Sequence, residues 1–550
     1  MFPSRESIDK KQADIDKSVL HDIIDEMEND SNDESVTVDE PTHFQSLLEN
    51  EKIPELVRHV IPVLIVGTVL LLLSSNLSTG AFVDLHASFM ESHVHAPALF
   101  SFSLGNTIRE MYHAGIYPLL FLVVAFSGIW PYAKLAMMMF LWVNSPKSPR
   151  HREQRLLLLD SLSKFSLVDT YVLVVMIVAF RYHLQFATTP ASVDVYVLPM
   201  FGFYGFLLAT CLSLVIGHAM VYCHRQSQVS DISKCSTSEA EVSIFDHAFQ
   251  VEVGKPKMKL TKGVQIGILA TYSVTFLLLV IGFAKHSFAF EIGGIAGLAL
   301  GEARTKSYSL LSLGASLLQS VPSGYGFGAF VLQVAFYFYA VLTPLGCLTL
   351  LATLFRRRLD LDVQRNVLVA AEIANAWSAV EVFLLSIVAA LFEISTFASF
   401  IIGDRCDLIN QFLQENFGKY LGDDAVCYSV AAHVNGNVWY LVLGVLLNSL
   451  CVSFGLRLVH SAINERIAQA QQEQQDHNNE FGPRNSAEPE GSPTIVTKIL
   501  ASPIGKYLFC EEEECSLETR SRDDDNQGEE DPDAEDEASE EELPQWRYWF

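Results

Sequence analysis

The chain has 550 residues, half of them apolar and 18% charged, yet its net charge is −27. Residues 1–54 hold 15 Asp/Glu against 5 Lys/Arg and residues 511–550 hold 18 against 3, so the 456 residues between them are nearly neutral and apolar. This argues against a soluble enzyme and, with no basic stripe to displace counterions from phosphates, against a nucleic-acid binder. It fits a membrane body with solvated acidic tails.

A bilayer core of about 30 Å takes roughly 20 mostly apolar residues per helix. Eight stretches qualify, at 58–76, 115–143, 166–184, 197–220, 264–284, 328–354, 377–400 and 438–458. The loops after the second, fourth and sixth hold 15 Lys/Arg, and the four opposite loops hold seven. The bias predicts both termini and the basic loops on the cytosolic side. Tails 1–54 and 463–550 are expected to be disordered and cytosolic, able to bind other proteins, with 226–261 a linker between membrane units 55–225 and 262–462. The island 494–509 and the terminal PQWRYWF are candidate docking segments. Nine cysteines include no CxxC pair, so no zinc ribbon is expected, and no cofactor or metal site either. Cys406 and Cys427 share an extracytosolic loop. A bond between them would close a loop of about 20 residues and stabilise by about 3 kcal/mol; two unpaired thiols are the alternative.

The chain also repeats itself. FSLVDTYVLVV (165–175) answers WSAVEVFLLSI (377–387) at a shift of 212, matching Phe165 with Trp377, Ser166 with Ser378 and Asp169 with Glu381. FSLGN (102–106) answers LSLGA (311–315), and Pro131 answers Pro344. One spacing at three landmarks predicts a tandem, parallel repeat of a four-helix unit, hence an all-α polytopic fold.

These motifs resemble the paraquat-inducible protein A family of bacterial inner-membrane proteins, over 58–225 and 262–460. The resemblance implies a polytopic protein that moves lipids between membranes with an extracytosolic lipid-binding partner. The bacterial proteins carry cytosolic zinc ribbons built from CxxC pairs; this chain has acidic tails instead, so anything acting through those ribbons is not carried over.

Charged residues inside spans need partners. Lys134 and Asp169 flank one cytosolic loop and are expected to pair, either as a structural bridge or as a pocket for a lipid head group. Cys347 stands where the second copy would have a lysine, so Glu381 is expected to snorkel, to pair with Arg356–Arg358, or to turn toward the first copy. Pro131 and Pro344 each remove a backbone donor and should kink their helices. His218 and Arg457 read as interfacial anchors, and Gln265, Gln333 and Asn448 as interhelical hydrogen-bonders. The long extracytosolic loops, with amphipathic 310–318 and 407–421, should cap the bundle as helices. No nucleophile elbow, phosphate loop or HExxH motif occurs, so no enzyme is expected. Three functions remain: lipid handling with a partner, a membrane scaffold or auxiliary subunit, and a small-solute transporter.

Overall fold

The computed structural model contains eight segments long and apolar enough to cross a membrane, over 55–77, 120–143, 151–179, 201–227, 262–284, 326–356, 361–391 and 438–467. It describes residues 46–479, apart from 90–91, 116, 146–148, 186–190, 229–241 and 248–257, together with 509–511. Most of both acidic tails, including the terminal PQWRYWF, lies outside the described residues.

The first half begins with α1 (Glu55–Leu77) and a hairpin of β1 (Ala81–Phe89) and β2 (Ser92–Phe102). Then come α2 (Leu104–Ala114), α3 (Tyr117–Leu122), a π-turn (Val123–Ile129) and α4 (Trp130–Val143). The third span is α5 (Pro149–Ser163) and α6 (Val168–Ala179), joined by a 3-10 turn at Lys164–Leu167. Strands β3 (Tyr182–Gln185) and β4 (Ala191–Pro199) lead to α7 (Phe201–Gln228).

A short strand, β5 (Met258–Leu260), precedes the second half, which opens with α8 (Lys262–Ala284), β6 (Phe288–Gly293), α9 (Gly294–Leu300), β7 (Thr305–Tyr308) and α10 (Leu310–Ser316). Next are α11 (Gly326–Tyr337), a second π-turn (Phe338–Leu342), α12 (Thr343–Arg356), α13 (Leu361–Trp377) and α14 (Val380–Leu421). Strand β8 (Ser429–Val434), α15 (Val438–Asn479) and β9 (Phe509–Glu511) complete the described chain.

Three expectations need correction. The loops at one end of the bundle contain antiparallel sheets as well as helices. One has the order β2-β1-β4-β3 and the other β7-β6-β8. In the first, Ala81, Val83, Val195 and Val197 are buried and His86 is exposed; in the second, β6 buries Phe288, Ala289 and Phe290 in a row. Of the two amphipathic stretches, 310–318 contributes α10, started by a Ser309–Ser312 capping box, and 407–421 is the end of the unbroken α14. Second, the third and seventh spans start earlier than their apolar runs, because α5 and α13 begin in residues assigned to basic loops. Lys164 therefore lies within a span. Third, the ends of the expected tails and linker are packed. Leu47 and Ile53 are buried among Ile61, Trp142 and Leu156, Ile244 is fully buried, and β9 pairs with β5, Leu260 opposite Phe509.

Between helices in lipid, packing and hydrogen bonds replace the hydrophobic drive. The two halves meet where Tyr171 of α6 stands edge-on to Phe336 of α11 at 5.9 Å and to Phe383 of α14 at 5.4 Å between ring centroids. Such aromatic pairs are worth about 1 kcal/mol each beyond their area.

Candidate functional site

Irregular backbone at membrane depth survives only where its polar groups find partners inside the protein. At the break in the third span, Trp130 Nε1 donates to Leu162 O at 3.0 Å and Ser386 Oγ donates to Val168 O at 3.2 Å. At the break in the seventh, Ala379 N donates to Tyr339 O at 3.0 Å, a carbonyl of the π-turn, and Thr343 Oγ1 donates to Trp377 O at 3.3 Å. Each expected proline kink thus takes the form of a π-turn just before Pro131 or Pro344, which accommodates the missing donor.

The break in the third span sets the depth of Asp169, in the first turn of α6. It stands ten residues from the sheet end of its span, about 15 Å at 1.5 Å per residue, or half the bilayer core. There it lines a half-open cavity of about 110 Å³. The walls are Val123, Val172, Met176, Phe180, Phe203 and Phe206; Ser75, Asn76, Ser103 and Thr107 add hydroxyls and an amide, and Ala81 and Val83 of β1 form part of the cover. Gly202 closes the α1–α7 corner: a Cβ there would sit 2.8–2.9 Å from the carbonyl oxygens of Ser75, Ser78 and Thr79. Ser75 Oγ donates to Gly202 O. Asn76 Nδ2 donates to the Tyr132 hydroxyl at 2.9 Å.

The expected Lys134–Asp169 pair does not form. Lys134 is 1% exposed and donates to Ser213 O and Oγ of α7, both at 3.1 Å, with Asp160 as its electrostatic partner. The reason is geometric: α4 packs Lys134 against α7, and the break carries Asp169 past it toward the cavity. Glu381 takes the alternative of turning toward the first half. Lys164 Nζ lies 3.0 Å from Glu381 Oε2, and Ser449 Oγ donates to Oε1 at 2.8 Å.

Of the other members of the repeated motif, Trp377 reaches between the halves. Phe165 stacks on Phe126 at 5.3 Å, and Ser166 and Ser378 are buried. Trp377 stacks on Tyr339 with ring planes 4° apart, and its Nε1 donates to His218 Nε2 at 2.7 Å. An indole nitrogen only donates, so the His218 proton is on Nδ1, 3.1 Å from Asp160 Oδ2. His218 is therefore a half-buried connector, not an interfacial anchor. Nearer the basic end, Arg225 holds Glu153 at 3.1 Å and Glu372 at 2.7 Å. Gln265 donates to Phe245 O and Leu260 O, and Gln333 to Gly314 O, as polar residues within spans commonly do. Asn448 Oδ1 is buried without a hydrogen-bond partner.

Sequence reasoning missed Asp160, Ser213 and the role of Lys164. The signal was LLLLDSLSKF (156–165), an apolar run with charges at helical spacing, hidden behind the basic residues 150–155. Cys427 is disulfide-bonded; the side chain of Cys406 lies outside the described residues. Among the described side chains no group of three or more His, Cys, Asp or Glu is placed to hold a metal.

Compared with known families, residues 308–406 match the model described as paraquat-inducible protein A. Over those residues the chain is similar to the paraquat-inducible protein A family, and its eight apolar helices fit a multi-pass membrane protein. The match takes in α10 to α13, the second π-turn and the start of α14, including Trp377, Ser378 and Glu381. The cavity and the FSLVD motif of the first half lie outside the matched residues. Comparisons with curated proteins and with solved structures give no match.

Proposed function

We propose that this membrane protein takes an amphiphilic lipid into the first-half cavity and passes it to a partner protein at the sheet end. The observation that carries the reading is the cavity itself: apolar walls for acyl chains, an edge of hydroxyls and one carboxylate, Asp169, at mid-membrane depth. Polar groups at that depth commonly face a ligand path. In this reading the two halves descend from one four-helix unit and both termini are cytosolic.

The test is native mass spectrometry with lipidomics on detergent-purified protein. Wild type should retain a defined lipid, Val172→Trp should lose it by filling the cavity, and Asp169→Asn should change which head group is kept. Equal retention in Val172→Trp and wild type, with matching thermal midpoints, would sink the proposal and leave a scaffold role in front.

A second reading has an observation of its own. Interrupted spans beside a carboxylate in both halves are the construction of many transporters of small solutes. Solute uptake into liposomes lacking any acceptor protein, abolished by Asp169→Asn, would favour that reading over lipid delivery.

A further inference from the structure

One face of α6 lines the first-half cavity along its depth: Asp169, Val172, Leu173, Met176 and, just past the helix, Phe180 recur at helical spacing. Asp169 is the inner end of that row, about 15 Å from the sheet end, whereas Ser75 of α1 lies two residues, or about 3 Å, from it. The polar groups at these two levels differ. Those near the sheet end already have partners within the protein. Ser75 Oγ donates to Gly202 O, Asn76 Nδ2 to the Tyr132 hydroxyl at 2.9 Å and Ser78 Oγ to Ser74 O at 2.7 Å, while Ser103 Oγ accepts from Asn106 N at 3.5 Å. Among the described residues Asp169 has neither a hydrogen-bond partner nor a counter-ion.

No lysine, arginine or histidine belongs to the described lining of the cavity. The lysines of the second and third spans are committed elsewhere, Lys134 to Ser213 and Asp160, and Lys164 to Glu381. A carboxylate at mid-membrane depth takes its counter-charge from a neighbour or from a ligand, and the described neighbours supply none. The space is also small, about 110 Å³. A buried water takes about 10–15 Å³ of such space, so the cavity holds roughly seven to eleven water-sized positions. That is room for one short alkyl chain and not for the two chains of a phospholipid.

We propose that this cavity recognises single-chain lipophilic amines. The ammonium sits on Asp169, the chain lies along Val172, Met176 and Phe203, and its far end leaves at the sheet end past Ser75. The assignment rests on the reading of the cavity as a lipid site and narrows its ligand. A phosphate or carboxylate head would bring a second negative charge to a place where no cation offsets the first. A neutral alcohol would fill the same walls and leave Asp169 without a counter-charge. An alkylammonium supplies both the charge and the donors, and a charge-assisted hydrogen bond in such surroundings is among the strong ones.

The experiment is isothermal titration calorimetry on the full chain in a neutral detergent at pH 7.4, with titrations into detergent alone subtracted. The probes are decylamine, decanol and decanoate, which share a chain and differ in head charge. Decylamine is protonated there, alkylamines having an ordinary pKa of about 10.4. Wild type should bind decylamine at least about tenfold more tightly than decanol, and decanoate most weakly of the three. Asp169→Asn should erase the preference for the amine, and Asp169→Glu should restore most of it. Val172→Trp should weaken all three probes, with Val172→Phe as the milder second variant and thermal midpoints as the check on folding. Equal affinities for decylamine and decanol, both lost in Val172→Trp, would overturn the amine assignment and leave the lipid cavity standing. Decylamine binding at the wild-type level in folded Val172→Trp would put the amine outside the cavity and sink both. A wild type that binds no decylamine would also overturn the assignment.

Discussion

The two halves present a carboxylate at the same place in their motifs and use it differently. Asp169 faces a cavity and, among the described residues, has no ion-pair partner, whereas Glu381 is gripped by Lys164 of the other half and by Ser449 of its own. One position thus serves openness in the first half and cohesion in the second. The partners explain the split. Trp377, Glu381 and Glu372 of the second half each reach across to His218, Lys164 and Arg225 of the first. Among the described residues Asp169 makes no such contact. A repeated motif therefore does not imply a repeated site.

That contrast can be broken or sharpened by mutation, read as reversible unfolding in detergent. Glu381→Gln should cost the most, about 3 kcal/mol, because it leaves the Lys164 charge buried without its counter-ion. Asp169→Asn should change stability by less than about 1 kcal/mol, since no counter-ion loses its partner. Equal costs for the two would abolish the contrast. Arg225→Ala removes charged contacts to two glutamates and should cost about 2 kcal/mol. Trp377→Phe keeps an aromatic ring but loses the donor to His218, for about 1 kcal/mol. Ser449→Ala should cost least, about 0.6 kcal/mol, the usual scale of a hydrogen bond between membrane helices. A larger loss there would show that Glu381 depends on its own half as much as on Lys164.

Much of the membrane architecture was legible because apolar length is a strong signal: the first, fifth and sixth spans lie within a few residues of their hydropathy limits. The breaks at 164–167 and 378–379 were not. Breaks depend on which carbonyls find donors from other helices, such as Trp130 Nε1 reaching Leu162 O, and no local pattern encodes that. Strands β1 and β4 do alternate, as in Val83–Asp84–Leu85–His86, but short alternating runs inside loops resemble amphipathic helices until a partner strand is known. At the site, Lys134, Asp169 and Glu381 were found and their pairing was not, because Asp160 and Lys164 were hidden in an apparent loop and the depth of Asp169 depends on where its span begins.

The seam between β1 and β4 has a mechanical meaning. It is nine register pairs long, and its strands come from the loop after the first span and the loop after the third. Two segments about a hundred residues apart are thereby welded at the sheet end. Pulled from that end in a single-molecule force experiment, the first four spans should leave the bilayer as one block behind a single large rupture rather than pair by pair. Proline at Val195, whose buried side chain marks the interior of that ladder, should split the rupture into two smaller steps.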